Sequence, residues 1–112
     1  MSATVGKTST DIELRARCQQ WQKLARLLTQ AADEQDWDQL RKLDMAMRQR
    51  LEQAGRAEEP SEQHARRVLA EAHRQALFQV VTARDELANR MQKLRQDKEG
   101  LSAYELTKLS GD

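Results

Sequence analysis

An all-α fold is predicted, an antiparallel up-down helical bundle of three main helices, the third longest, followed by a short C-terminal helix. Three features carry this. The 112 residues include only one proline and four glycines, and the chain is rich in Ala, Leu, Glu, Arg and Gln, which are good helix formers. Charged residues make up 33% and hydrophobic ones 38%, a balance that gives each helix one wetted face. Apolar residues recur at alternating spacings of three and four, broken at two short polar stretches.

The elements follow in order. Residues 1–9 are small and polar and read as a flexible N-terminal tail. Residues 10–99 read as the bundle domain. Thr10-Asp11-Ile12-Glu13 matches a capping box, a hydroxyl followed three residues later by a carboxylate. Behind it Leu14, Cys18, Trp21, Ala25, Leu28 and Ala32 form one stripe, widened by Leu24 and Ala31. In "ADEQDWDQLRKLD" the acids Asp33, Glu34 and Asp38 suit the positive end of a second helix, with Asp36 as its N-cap. Trp37 then takes the first helical position, in line with Leu40, where its ring can close the end of the core. Leu40, Leu43, Met47, Leu51 and Ala54 continue the stripe, and Gly55 is a left-handed C-cap.

"GRAEEPS" is a turn, with Ser61 as the next N-cap. From Glu62 to about Lys98 a third stripe comprises Ala65, Leu69, Ala72, Ala76, Val80, Ala83, Leu87 and Leu94, with Met91 at its margin. At 1.5 Å per residue this helix is roughly 55 Å long, against roughly 35 and 27 Å for the first two. Gly100 interrupts it. Residues 100–112 read as a mobile tail holding a short helix from Ala103 to Leu109, behind the capping box Ser102-Ala103-Tyr104-Glu105. Short connections make neighbouring helices antiparallel.

Several function classes are disfavoured. His64 and His73 are nine positions apart, about half a turn out of phase, and do not converge on a metal. Cys18 is the one cysteine, which excludes an internal disulfide, and its place in a core stripe as a packed thiol fits a reducing cytoplasm. "DEQDWD" resembles a calcium loop, but that pattern needs glycine where Gln39 stands. No glycine-rich phosphate loop is present. The expectation is no catalytic residue, no cofactor and no metal. The net charge is +1. Arg66, Arg67 and Arg74, and Arg90, Lys93, Arg95 and Lys98, are interleaved with Glu71, Asp85, Glu86, Asp97 and Glu99, which reads as a solvated face rather than a nucleic-acid surface. The N-terminus has no apolar signal core, and no apolar run approaches the ~20 residues of a bilayer span, so neither secretion nor membrane insertion is expected.

The anomaly is on the third helix. Leu77, Phe78 and Val81 project about 100–200° away from its main stripe. Met45 and Leu27 are similarly off theirs. A central helix touching neighbours on two sides explains such a patch, as does a surface for a partner helix or a homodimer seam. Tyr104, Leu106 and Leu109 are too few to hold an isolated helix. Docked on the bundle, Leu106 and Leu109 form a reversible C-terminal lid over a binding surface.

The acidic turn followed by Trp37-Asp38, Leu40, Leu43-Asp44 and Met47 resembles the junction of the first two helices in the FliT-like flagellar type III export chaperone family. The helix order and Tyr104 after a glycine agree from about Leu14 onward. The resemblance implies a cytoplasmic chaperone that holds the C-terminal helical segment of the filament-cap protein in an apolar groove of the second and third helices. It further implies delivery to the export ATPase complex and the export-gate protein. Some members also bind and suppress the flagellar master transcription activator. Mapped onto this chain, the client groove comprises Leu43, Met47, Leu51, Val68, Leu69 and Ala72, and Tyr104 contributes to gate recognition. Two other readings stand beside it: a chaperone for hook–filament junction proteins, and a structural coiled-coil or dimerisation module.

Overall fold

Three helices form where the apolar spacing requires them. A computed structural model describes the backbone of residues 2–110 and the side chains of residues 10–101 and 104. Helix α1 is Ser2–Asp33, α2 is Trp37–Ala54 and α3, the longest, is Pro60–Ser110. The first difference from expectation is at the N-terminus, where helical backbone begins at Ser2 and not at the Thr10 capping box. The hydroxyl-to-carboxylate spacing recurs inside helices, where residues three apart are simply neighbours on one face.

The turn between α1 and α2 is closed by backbone bonds from Gln35 N to Ala32 O, 3.0 Å, and from Asp36 N to Ala31 O, 2.9 Å. Gln35 takes the left-handed conformation there, φ 57°. Asp36 caps α2 as expected, its carboxylate accepting from Gln39 N at 3.2 Å. Trp37 follows, half-buried. Gly55 ends α2 at φ 69°, ψ −151°, with its N–H bonded to Leu51 O. Pro60, not Ser61, opens α3, because the first helical position needs no N–H and suits the fixed φ of proline.

The chain divides into two compact units, Met1–Gln79 and Val80–Asp112. In the first, α1, α2 and the start of α3 share a core of Trp21, Leu24, Leu28, Leu40, Leu43, Met47, Ala65, Leu69 and Ala76, all buried. The pairings give the directions. Arg17 and Trp21 of α1 meet Glu62 of α3, and Asp33 of α1 accepts from Gln79 at 3.2 Å. Arg66 reaches the end of α2 at Gly55 O, 2.5 Å, while His73 reaches Asp44 nearer its middle, 2.6 Å. Thus α1 packs against α3 running the same way, with α2 opposed to both.

In the second unit the side chains described from Arg84 onward are exposed. Leu87 and Leu94, expected to continue the core stripe, are 58% and 67% exposed. The expected break at Gly100 does not occur, since α3 continues to Ser110 and no separate short helix starts at Ala103. Glycine costs a helix about 1 kcal/mol, which weakens it without ending it.

Candidate functional site

In the first unit two small residues, Ala25 of α1 and Ala72 of α3, leave room beside the α1–α3 seam. Together with Val68 and Thr29 they floor an open groove of about 570 Å³. Its rim is polar, carrying Gln22, Arg26, Gln30 and Asp33. Thr29 spends its hydroxyl on its own helix, donating to Ala25 O at 3.0 Å, so it presents no free donor to the groove. Val68 is 43% exposed although it sits one position before the fully buried Leu69. Such a surface offers incoming apolar groups a dry floor, with polar groups only at the edges.

The six residues that the resemblance maps to the client groove fall into two sets. Leu43, Met47 and Leu69 are buried in the core of the first unit. Leu51 is half-buried at the end of α2. Only Val68 and Ala72 of the six mapped residues border the open groove, and they do so with α1 as the other wall. Side-chain size separates the two sets: the buried Leu43, Met47 and Leu69 are large, whereas the groove is lined by the small Ala25 and Ala72.

One end of the seam is fixed by a polar knot. Glu62 is only 3% exposed. Its carboxylate accepts from Trp21 Nε1 at 3.0 Å, from Arg66 at 2.9 Å and from Arg17 at 3.2 Å. The Arg66 guanidinium also lies 5.0 Å from the Trp21 ring centre, a cation–π contact. Burial works against the ionised carboxylate, but the hydrogen bonds from Trp21, Arg66 and Arg17, with the charge of Arg17, together hold its pKa below the usual value. Sequence reading missed this cluster and assigned Arg66 to a solvated basic row. The signal was there: Glu62 precedes Ala65 and Leu69 at spacings of three and four, an acid in an apolar stripe.

The remaining expected positions are scattered. Leu77 and Phe78, in the first unit, and Val81, in the second, are exposed. Tyr104 is 67% exposed. Leu106 and Leu109 lie outside the residues whose side chains are described. Of the residues weighed for chemistry, His64 is exposed and His73 is paired with Asp44. Cys18 Sγ lies 4.0 Å from Ser61 Oγ. Among the described residues no group of three or more His, Cys, Asp or Glu side chains is placed to hold a metal ion. Nor is any helix among them long and apolar enough to cross a membrane. Neither a scan against protein-family models nor searches of curated proteins and of solved structures finds a match to this chain.

Proposed function

We propose that this chain is a non-enzymatic cytoplasmic chaperone of flagellar type III export, which masks the C-terminal helical segment of the filament-cap protein until secretion. The observation that carries the reading is the apolar groove floored by Ala25, Val68 and Ala72 with a polar rim. An amphipathic client helix supplies anchors at i, i+3, i+4 and i+7 to a groove of this kind, and burial of those anchors prevents premature assembly. The resemblance around Trp37-Asp38 and Leu43-Asp44 supplies the identity of the client, and with it delivery to the export ATPase complex and gate. Binding of the flagellar master activator belongs to the same proposal. The exposed Tyr104 is the residue assigned to gate recognition.

The test is light scattering and calorimetry of the full chain with a peptide of the cap protein's C-terminal segment. A defined heterocomplex is expected, and Val68→Glu should weaken it about tenfold or more, because a charge would be buried against the client. Absence of a complex, or one indifferent to Val68→Glu, refutes the reading. Stronger binding of a hook–filament junction protein would assign that client instead. Tyr104→Ala should weaken gate binding and spare the client. A second reading, a coiled-coil dimerisation module, is favoured by the exposure of Leu87, Leu94 and Leu101, and self-association without any peptide would support it.

A further inference from the structure

Within the second unit, Val80, Leu87, Leu94 and Leu101 recur every seven residues. Seven helical residues fall about 20° short of two full turns, so the row drifts only slowly around α3. Met91 lies about 40° to one side of Leu87. Leu87, Met91, Leu94 and Leu101 are all roughly half exposed or more. A row of this length left in water marks an interaction surface.

The charges beside the row say what covers it. From Leu87 to Gln96 the chain carries Arg90, Lys93 and Arg95 and no acid. Sequence spacing offers them partners, since Glu86 lies four before Arg90 and Asp97 four after Lys93. Yet among the described residues neither of these pairs closes to an ion pair, and Arg90, Lys93, Arg95 and Lys98 make none. The salt bridges formed elsewhere on α3 are those of Glu62, Glu71 and Arg84 and the His73–Asp44 contact. The cations that flank the apolar row are therefore free to meet charge from outside.

A second copy of the chain matches these cations only in part. Two rows pairing antiparallel about Leu94 set Arg90 against Lys98 and Lys93 against Arg95. Pairing about Met91 opposes Arg84 to Lys98 and Asp85 to Asp97. Setting Leu87 on Leu94 matches Glu86 with Arg95 and Arg84 with Asp97, but leaves Arg90, Lys93 and Lys98 opposite uncharged residues. A parallel pair shifted by one heptad would match Arg90 with Asp97 and Glu86 with Lys93, but that contact has no two-fold axis and propagates without closing. Nucleic acid would use the cations and leave the leucines wet.

We propose that the Val80–Leu101 row of α3 docks an amphipathic helix of another protein, one with apolar anchors at heptad spacing flanked by Asp or Glu. This surface lies outside the α1–α3 groove, and the proposal does not rest on the export reading. The leucines and Met91 supply burial, and Arg90, Lys93 and Arg95 select acidic over basic flanks, chiefly by rejecting like charge.

The probe is a synthetic helix about three heptads long with leucine anchors and glutamate flanks, beside a twin with lysine flanks. Fluorescence anisotropy on the full chain at physiological salt should show the glutamate peptide binding at least about tenfold tighter than its twin. Leu87→Gln with Leu94→Gln should weaken it about tenfold or more, and R90E/K93E/R95E should reverse the preference, with helicity by circular dichroism unchanged because all these side chains are exposed. Val68→Glu should leave this binding intact. Equal binding of the two peptides, indifference to the leucine substitutions, or loss on Val68→Glu overturns the proposal. So does a peptide-free dimer dissolved by the leucine substitutions, or a short DNA duplex that binds as tightly as the glutamate peptide.

Discussion

Glu62 gathers three side-chain donors, from Arg17, Trp21 and Arg66, and the direction of its effect can be worked out. Its pKa is held below the ordinary 4.5. A carboxyl depressed on folding stabilises the native state above its unfolded pKa, and that contribution is lost as pH falls through the folded value. Glu62→Gln keeps the shape and removes the charge, leaving the part-buried Arg66 without its counter-ion. It should cost about 3 kcal/mol near neutrality, the usual size for breaking such a pair. Urea denaturation at pH 7 and again near pH 3 checks this, and the gap between wild type and variant should narrow in acid. Two turn residues give a matched contrast in backbone strain. Gln35 sits at φ 57°, where a β-carbon is disfavoured, so Gln35→Gly should stabilise by up to about 1 kcal/mol. Gly55, at φ 69° and ψ −151°, occupies a region almost reserved for glycine, so Gly55→Ala should destabilise by about 1–3 kcal/mol although no atom lies within 4 Å of the added methyl. Asp36 and Gly55 were legible as caps from residue type alone. Gln35 was not, because glutamine carries no left-handed signature.

At the scale of the element, period was read well, length was read well only for α2, and partnership was not. The stripes from Trp21 to Ala32, from Leu40 to Met47 and from Ala65 to Ala76 are the buried faces that the three-and-four spacing predicted. The same spacing continues through Leu87 and Leu94, which are exposed, because periodicity reports which face is apolar and says nothing of whether a neighbour covers it. The mapped groove residues divide for a related reason: spacing marks Leu43, Met47 and Leu69 as apolar without saying that they are buried, while Val68 and Ala72 border open space beside Ala25. Two further outcomes belong here. Asp44 and His73 tie α2 to α3 through a 2.6 Å contact, and a double-mutant cycle to alanine should show about 1 kcal/mol of coupling. Gly100 lies inside α3 with open space around it, so Gly100→Ala should strengthen the helix locally by up to about 1 kcal/mol, read as increased helicity and thermal midpoint.

For the molecule as a whole, one helix belongs to two units with different means of support. From Pro60 to Gln79, α3 gains from Glu62, Ala65, Leu69 and Ala76, all buried against partners. From Arg84 to Leu101 its described side chains are exposed, and a helix without tertiary burial is only marginally stable in water. Amide hydrogen exchange should therefore divide along the helix. The amides of residues 65–76 should open only with global unfolding, whereas those of residues 84–101 should exchange through local opening, orders of magnitude faster. Uniform protection over all of α3 in a monomeric sample would contradict this division. The measurement also bears on the docking proposal. A partner that buries Leu87, Met91 and Leu94 binds the folded form of this segment in preference to the open one, so protection there should rise with ligand as the logarithm of its concentration over Kd. With the glutamate-flanked peptide at about a hundred times Kd, the gain is about 2.7 kcal/mol, or two decades in exchange rate, confined to the second unit. The lysine twin at the same concentration, about ten times its own Kd where it binds tenfold more weakly, should give no more than about 1.4 kcal/mol, or one decade.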